Sequence, residues 1–261
     1  MRPWRIWLGS IIVLGALSGC ATTQGPRSVA DQASGDPLQA VNRPIFHFNM
    51  GLYDYVLEPV DRGYKAVTPA FFRQGVSNVF ANADTPYIFV NDFLQGRVQM
   101  GMEDLSRFLV NTIFGLGGLF DVANHLDLPK HENSLGVTLG VWGVPQGPYL
   151  VLPFYGPSSL RSLPGLALAI FTGPTYYISS SNAQYALTGM GIINTGYVNG
   201  PKIRMVQEAV NPYIFMRNAW EQHEQYLIDG GKVSSSQLLQ GLELPPASGP
   251  SAATESAGSL P

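Results

Sequence analysis

The chain carries one cysteine, and only 13% of its 261 residues are charged. A typical soluble domain carries about 25%. One cysteine excludes an intramolecular disulfide framework and any CxxC metal site. Lys and Arg number 15 against 18 Asp and Glu, so there is no basic surplus for nucleic acid. Gly and Pro, at 29 and 20, make up about 19% of the chain against an average of about 12%, which rules out an extended coiled coil. Nucleotide motifs are missing. Gly115-Leu116-Gly117-Gly118 departs from GxGxxG because Phe120 stands at the third glycine position, and Gly231-Lys232 runs into Val233 with no P-loop glycine before it. Gly156-Pro157-Ser158-Ser159 is no GxSxG elbow, and His131-Glu132 has no second histidine at HExxH spacing. Asp121, His125, Asp127, His131 and Glu132 are close enough in sequence to hold a metal, but they read better as a solvated loop. We therefore expect no catalytic residue, no metal and no cofactor. Apolar residues stand at an ordinary 45%, so the deficit is in charge, and a weakly charged surface raises the prospect of membrane contact.

Residues 1–20 read as a processing segment. Arg2 and Arg5 precede an apolar run from Ile6 to Leu17, too short to span a bilayer comfortably. The run ends in Leu17-Ser18-Gly19-Cys20, which resembles the bacterial lipobox. Cleavage between Gly19 and Cys20 would leave the only cysteine as an acylated N-terminus. The alternative is a plain secretory signal with a chance cysteine. Each buried CH₂ contributes about 0.8 kcal/mol, so several acyl chains hold a protein in a membrane almost permanently. Ala21, rather than Asp, resembles the Gram-negative sorting signal for the outer membrane.

Residues 20–35 read as a flexible tether and 233–261 as a disordered tail, so the folded body is 36–232. Its fold class is mainly α, built from short amphipathic helices broken by Pro and Gly. Asp36-Pro37 predicts a helix start, with Phe46, Met50, Tyr53 and Leu57 on one face and Pro44 kinking or starting the helix. Thr85-Pro86 predicts another start, stopped by Gly96. Glu103 and Asp104 predict a first turn, followed by one face of Leu105, Phe108, Leu109, Thr112 and Ile113. Asn211-Pro212 opens a long helix that Gly230-Gly231 closes, with Tyr213, Met216, Trp220 and Leu227 in one stripe and Arg217, Glu221, Gln222 and Gln225 facing away. Residues 134–155 read as a short helix capped by Asn133, a loop at 144–147 and an extended stretch, or else as a Gly-rich hairpin. Residues 163–178 are the most apolar stretch, but Pro164, Gly165, Gly173 and Pro174 cut it below spanning length. Short helices of this kind can lie in a bilayer interface; an ordinary soluble core is the alternative.

Four polar residues stand out in apolar surroundings: Arg43, Arg107, Asn111 and Arg161. Each Arg can simply cap a helix or pair a carboxylate. Together they can also line a path for a phosphate-bearing head group, since Arg pairs phosphate bidentately.

The residues then fall into a recognisable series. Asp36-Pro37-Leu38, Asn42-Arg43, Phe46, Phe48-Asn49 and Asp54 open it. Asn91, Phe93-Leu94-Gln95-Gly96, Arg107-Phe108 and Asn111 follow, then Phe114-Gly115, Gly117-Gly118 and Asp121-Val122-Ala123. The longest stretch runs from Thr138-Leu139-Gly140 through Gly143-Val144, Gly147-Pro148-Tyr149 and Leu152-Pro153 to Gly156-Pro157-Ser158 and Leu160-Arg161. Pro212-Tyr213-Ile214, Arg217, Ala219 and Gly230-Gly231 complete it. This series resembles the MlaA/VacJ family of outer-membrane lipoproteins over about residues 36–232. The resemblance implies a single ring-like domain in the inner leaflet of the outer membrane, with a central amphipathic channel. It implies removal of stray phospholipid from the outer leaflet, association with a trimeric porin, and delivery to a periplasmic carrier that feeds an inner-membrane ABC transporter. Gln39, Asn133-Ser134 and Ser162-Leu163 depart from the family pattern, which commonly has acidic residues there. Gly140, Gly143 and Gly147 would give the channel a flexible flank. Two other readings remain: a structural porin accessory without lipid traffic, and a periplasm-facing lipoprotein hydrolase.

Overall fold

The computed structural model describes residues 36–173 and 178–232. The expected leader, Cys20, the tether and the tail lie outside them. The protein is mainly helical. In chain order the elements are α1 (Gln39–Leu52), a π-helical segment (Tyr53–Leu57), α2 (Glu58–Val67), α3 (Ala70–Leu94) and α4 (Val98–Ile113). Then come α5 (Val122–His125), α6 (Leu135–Val141), β1 (Tyr149–Leu152), β2 (Gly156–Ser159), α7 (Leu163–Thr172), α8 (Ser181–Gln207) and α9 (Pro212–Ile228).

Several starts differ from expectation. The first helix begins at Gln39, after a turn at Pro37-Leu38, and Pro44 lies inside it. Thr85-Pro86 sits within the 25-residue α3 rather than opening a helix. There the Thr85 hydroxyl donates to the Ala81 carbonyl at 2.9 Å, a local bond that helix interiors accommodate. Gln95 caps α3 and Gly96, at φ +73°, turns the chain. Because α4 starts at Val98, Glu103 and Asp104 lie beyond its first turn. Residues 134–155 contain both expected forms: a seven-residue helix, then a loop and the first strand of an antiparallel hairpin pairing Tyr149 with Ser159 and Leu152 with Gly156. Ser134, not Asn133, caps that helix by accepting from the Val137 N–H. Asn211 caps α9 as its sequence predicts, accepting from the Ile214 N–H.

The apolar core is small. Phe46, Tyr149, Val151 and Tyr213 form it where α1, the hairpin and α9 meet, with Met50, Met216 and Trp220 packed at its margin. Two asparagines of α1 hold the hairpin in place. Asn42 donates to the Tyr149 carbonyl and accepts from the Val151 N–H, both at 2.9 Å. Asn49 does the same with the Leu152 carbonyl and the Phe154 N–H, again at 2.9 Å. Seven helical residues rise about 10.5 Å, and three strand residues span about 10 Å. The two amides therefore stand as far apart as the backbone groups they bind, and act as a third strand along β1.

Polar groups dominate the rest of the interior. Among the described residues, eight apolar side chains are buried, against fourteen polar or charged ones. The buried residues of α4 are Gly101, Asp104, Arg107 and Asn111. Leu109 and Ile113, of the apolar face that periodicity groups together, are 47% and 64% exposed. Phe114 and Leu116 follow at 70% each. The helix is where the periodicity places it, but its polar side faces the protein. No helix of the described residues is long and apolar enough to cross a membrane.

Candidate functional site

The polar interior opens into a cleft between α3 and α8. Steps of four and three residues put Asn78, Asn82 and Thr85 on one face of α3, with Ser77 beside Asn78, and of these Ser77 and Asn78 line the cleft. Asn194 and Tyr197 of α8 meet that face, and the Ser77 hydroxyl donates to Asn194 Oδ1 at 2.6 Å. The cleft has a volume of about 410 Å³ and is lined also by Asp84, Lys130 and Asn199. That volume is in the range of small-molecule sites, roughly 300–1,000 Å³.

Charge is sparse but present on both signs. Asp84 keeps access to solvent, yet the surrounding protein pushes its carboxyl above the usual range, opposed by Lys130. Tyr197 forms one wall and carries two cations against its ring, Lys65 at 5.3 Å and Arg73 at 5.7 Å from the centroid.

Asn78, Ala81 and Lys130 also line a deeper recess of about 40 Å³, walled by Asn82, Asp104, Arg107, Asn111, Asp121 and His131. A site of this size holds a water or two and no larger ligand. Arg107 and Asn111 meet there. One Arg107 nitrogen, Nη2, lies 2.9 Å from both Asp121 oxygens, and Nη1 donates to the Leu128 carbonyl. Asn111 donates to Asp121 Oδ1 at 3.0 Å and accepts from the Ala123 N–H at 2.9 Å. Burial pushes the Asp121 carboxyl up, but Asn111, Arg107 and the Asn124 N–H outweigh it and hold it below its ordinary value.

Asp104, in the wall of the recess, and Asp92 form a buried acid pair. Asp104 accepts from His131 Nδ1 at 3.0 Å. Asp92 is fully buried and pushed up to about 6, first by burial and further by the nearby Asp104 carboxylate. Asn133 works against that shift by donating to Asp92 Oδ1 at 2.6 Å. Asn133 also accepts from Gln95, which in turn reaches Thr138. This network explains why the Asn133 side chain is not the helix cap.

The remaining expected site residues sit elsewhere. Arg161 lies against the hairpin and α9. Its Nη2 donates to Glu224 Oε2 at 2.9 Å and its Nη1 to the Val144 carbonyl at 3.2 Å. Arg43 places its guanidinium 5.2 Å from the centre of the Tyr213 ring. The structure thus brings Arg107 and Asn111 together beside the cleft and puts Arg43 and Arg161 outside it. Among the expected flexible glycines, Gly143 and Gly147 adopt φ of +89° and +70°, as turn positions do. Gly140 has a different reason. A Cβ there would stand 2.6 Å from Ile228 Cδ1 and 3.0 Å from Arg161 Cζ, so its smallness permits close packing. None of the three lines the cleft. The five candidate metal-ligating residues are divided: Asp121 is held by Arg107, His131 by Asp104, and Glu132 accepts from His223 at 3.2 Å. No group of three or more His, Cys, Asp or Glu that could hold a metal ion exists among the described residues.

Sequence reasoning missed Asp84, Lys130, Asn194 and Tyr197. The stripe of Ser77, Asn78, Asn82 and Thr85 was available to the same periodicity test as apolar residues.

Comparison with known proteins gives consistent matches. The family model described as MlaA lipoprotein matches residues 34–227. The intermembrane phospholipid transport system lipoprotein MlaA of Escherichia coli (strain K12) is 33% identical over 237 residues, covering 87% of this chain and 91% of that protein. Its namesake from Haemophilus influenzae is 30% identical over 226 residues, covering 85% and 90%. A solved structure, described as the structural basis for maintenance of bacterial outer membrane lipid asymmetry, matches with a TM-score of 0.64 and 33% identity. It covers 74% of this chain and 99% of the matched chain.

Proposed function

The chain belongs to the MlaA lipoprotein family, and from that premise we propose that it maintains outer-membrane lipid asymmetry by carrying stray phospholipid out of the outer leaflet. It is anchored by acyl chains on Cys20 in the periplasmic leaflet, next to a trimeric porin. It passes lipid to a periplasmic carrier that feeds an inner-membrane ABC transporter. It moves the lipid without making or breaking a bond.

The observation that carries this reading is the orientation of the helices. Buried Asn82, Asp104, Arg107 and Asn111 line a polar recess that adjoins the cleft, while Leu109, Ile113, Phe114 and Leu116 face outward. In water that arrangement is costly, because apolar area stays exposed. In a leaflet it is favourable: the outward side chains meet acyl chains, and the cleft offers head groups a polar route. A head group left unpaired in hydrocarbon costs several kcal/mol, so such a route lowers the barrier to transfer. The head group occupies the 410 Å³ cleft beside Asp84 and Lys130. Arg107 and Asn111 serve as the rigid back wall, their polar groups being held by Asp121, Leu128 and Ala123.

Deleting the gene should raise outer-leaflet phospholipid and sensitise cells to SDS–EDTA. Complementation with Cys20→Ala should fail, with the protein lost from the outer-membrane fraction. Normal asymmetry in the deletion strain would overturn the reading, and altered porin behaviour alone would favour the accessory role instead.

A further inference from the structure

A second cavity lies apart from the cleft, between the hairpin, α7, α9 and one residue of α3. Its volume is about 140 Å³, and its walls include Tyr87, Tyr155, Trp220, Ser158, Ser162 and Glu224. A cavity of about 150 Å³ holds a benzene molecule, so a compact organic group of similar size fits.

The chemistry of the wall is one-sided. Glu224 is buried, 8% exposed, and lines the cavity. Its partner Arg161 does not line the cavity; it grips Glu224 Oε2 at 2.9 Å from behind, with its other end on the Val144 carbonyl. No Lys or Arg stands among the described lining residues. Tyr87 is fixed in place, its hydroxyl accepting from the Leu135 N–H at 2.9 Å. Tyr155 leaves its outer surface open, at 60% exposure, while its phenol is raised above the ordinary value by burial and then by Tyr87 and Glu224. Three electron-rich rings and a buried glutamate therefore line one cavity with no cation among its described walls. Aromatic walls attract cations through their ring quadrupoles, and more strongly where water is excluded.

We propose that this pocket binds an organic ammonium group, primary or quaternary, using the Tyr87, Tyr155 and Trp220 rings and the Glu224 carboxylate. The ammonium belongs either to a lipid head group or to a free amine. This site is separate from the transport cleft and does not depend on the reading of that cleft.

The test uses the full chain in an uncharged detergent. Choline and ethanolamine are titrated while saturation transfer to their protons is followed by NMR, with glycerol as a neutral control. The expected result is saturable choline binding, with no glycerol signal. Tyr155→Leu should weaken it at least about fivefold, because the aromatic ring is lost while an apolar side chain remains. Tyr155→Phe should stay within about twofold of the native protein. Glu224→Gln should also weaken binding; if that variant fails to fold, Trp220→Leu takes its place. In nanodiscs, lower apparent choline affinity with phosphatidylethanolamine than with phosphatidylglycerol identifies the lipid amine as occupant. Equal affinity in both identifies a free amine. Absence of saturable binding, or native-like binding in folded Tyr155→Leu, would overturn the proposal.

Discussion

Replacing Asp92 by Asn should stabilise the protein near neutral pH and have little effect in acid. Asp92 is fully buried on α3, and burial first, then the neighbouring Asp104 carboxylate, push it up to about 6. Its Oδ1 accepts from Asn133, while Oδ2 has no hydrogen-bond partner. A carboxyl raised in the folded state takes up its proton more readily there than in the unfolded chain. The folded state therefore binds more protons between about pH 4 and 6, and stability falls as pH rises through that window. Moving a carboxyl from 3.8 to about 6 corresponds to roughly 3 kcal/mol once both states are ionised. An asparagine keeps the acceptor for Asn133, places a donor beside Asp104 and never ionises. The difference between Asp92→Asn and the native protein should therefore grow by about 2–3 kcal/mol between pH 4 and pH 7.5. In a domain of this size that is roughly 5–10 °C in Tm. Thermal unfolding followed by circular dichroism in detergent measures it. A Tm difference that does not change with pH would refute the reasoning, because it would mean that the carboxylate is not destabilised in the fold.

Three further predictions concern the scaffold. Asn42→Ala removes the buried side-chain partner of the Tyr149 carbonyl and the Val151 N–H, and should cost about 1–3 kcal/mol in denaturant unfolding. Gly118→Ala puts a side chain at φ +95° with its Cβ 2.5 Å from Asn82 Cβ, and should cost about 2–4 kcal/mol in the same assay. Glu132 is held below its ordinary value, chiefly by its hydrogen bond to His223, and His223 is raised by the same bond. The Glu132 contribution is lost as pH falls through its folded value, and the His223 contribution as pH rises through its own. The deficit of Glu132→Gln against the native protein should therefore be largest between about pH 4.5 and 6.5; a flat deficit would show that the pair does not contribute.

Much of the fold is legible from local signals, but not which way its helices face. Asn211-Pro212 and Gly230-Gly231 bound α9 because capping and chain reversal are local chemistry. Periodicity likewise found α4 and grouped Leu109 with Ile113. It says only that these residues share a face, and that face lies outward here. In water an apolar face turns in, but in a leaflet the preference reverses, and a hydrophobic stripe carries no label for its solvent. α8 escaped notice because Gly189, Gly191, Gly196, Gly200 and Pro201 read as breakers, and its apolar residues show no preferred side. The site was half visible. Arg107 and Asn111 stood out as polar residues on an apolar helix, while Lys130 and Asp84 join the cleft only through folding.

The paired amides of α1 also limit how this helix can evolve. Adding one residue between Asn42 and Asn49 would rotate the second amide by about 100° around the helix, away from the strand it holds. A deletion would swing it the opposite way. The length of that seven-residue interval is therefore locked, although the side chains between the two asparagines are free to vary wherever they face outward.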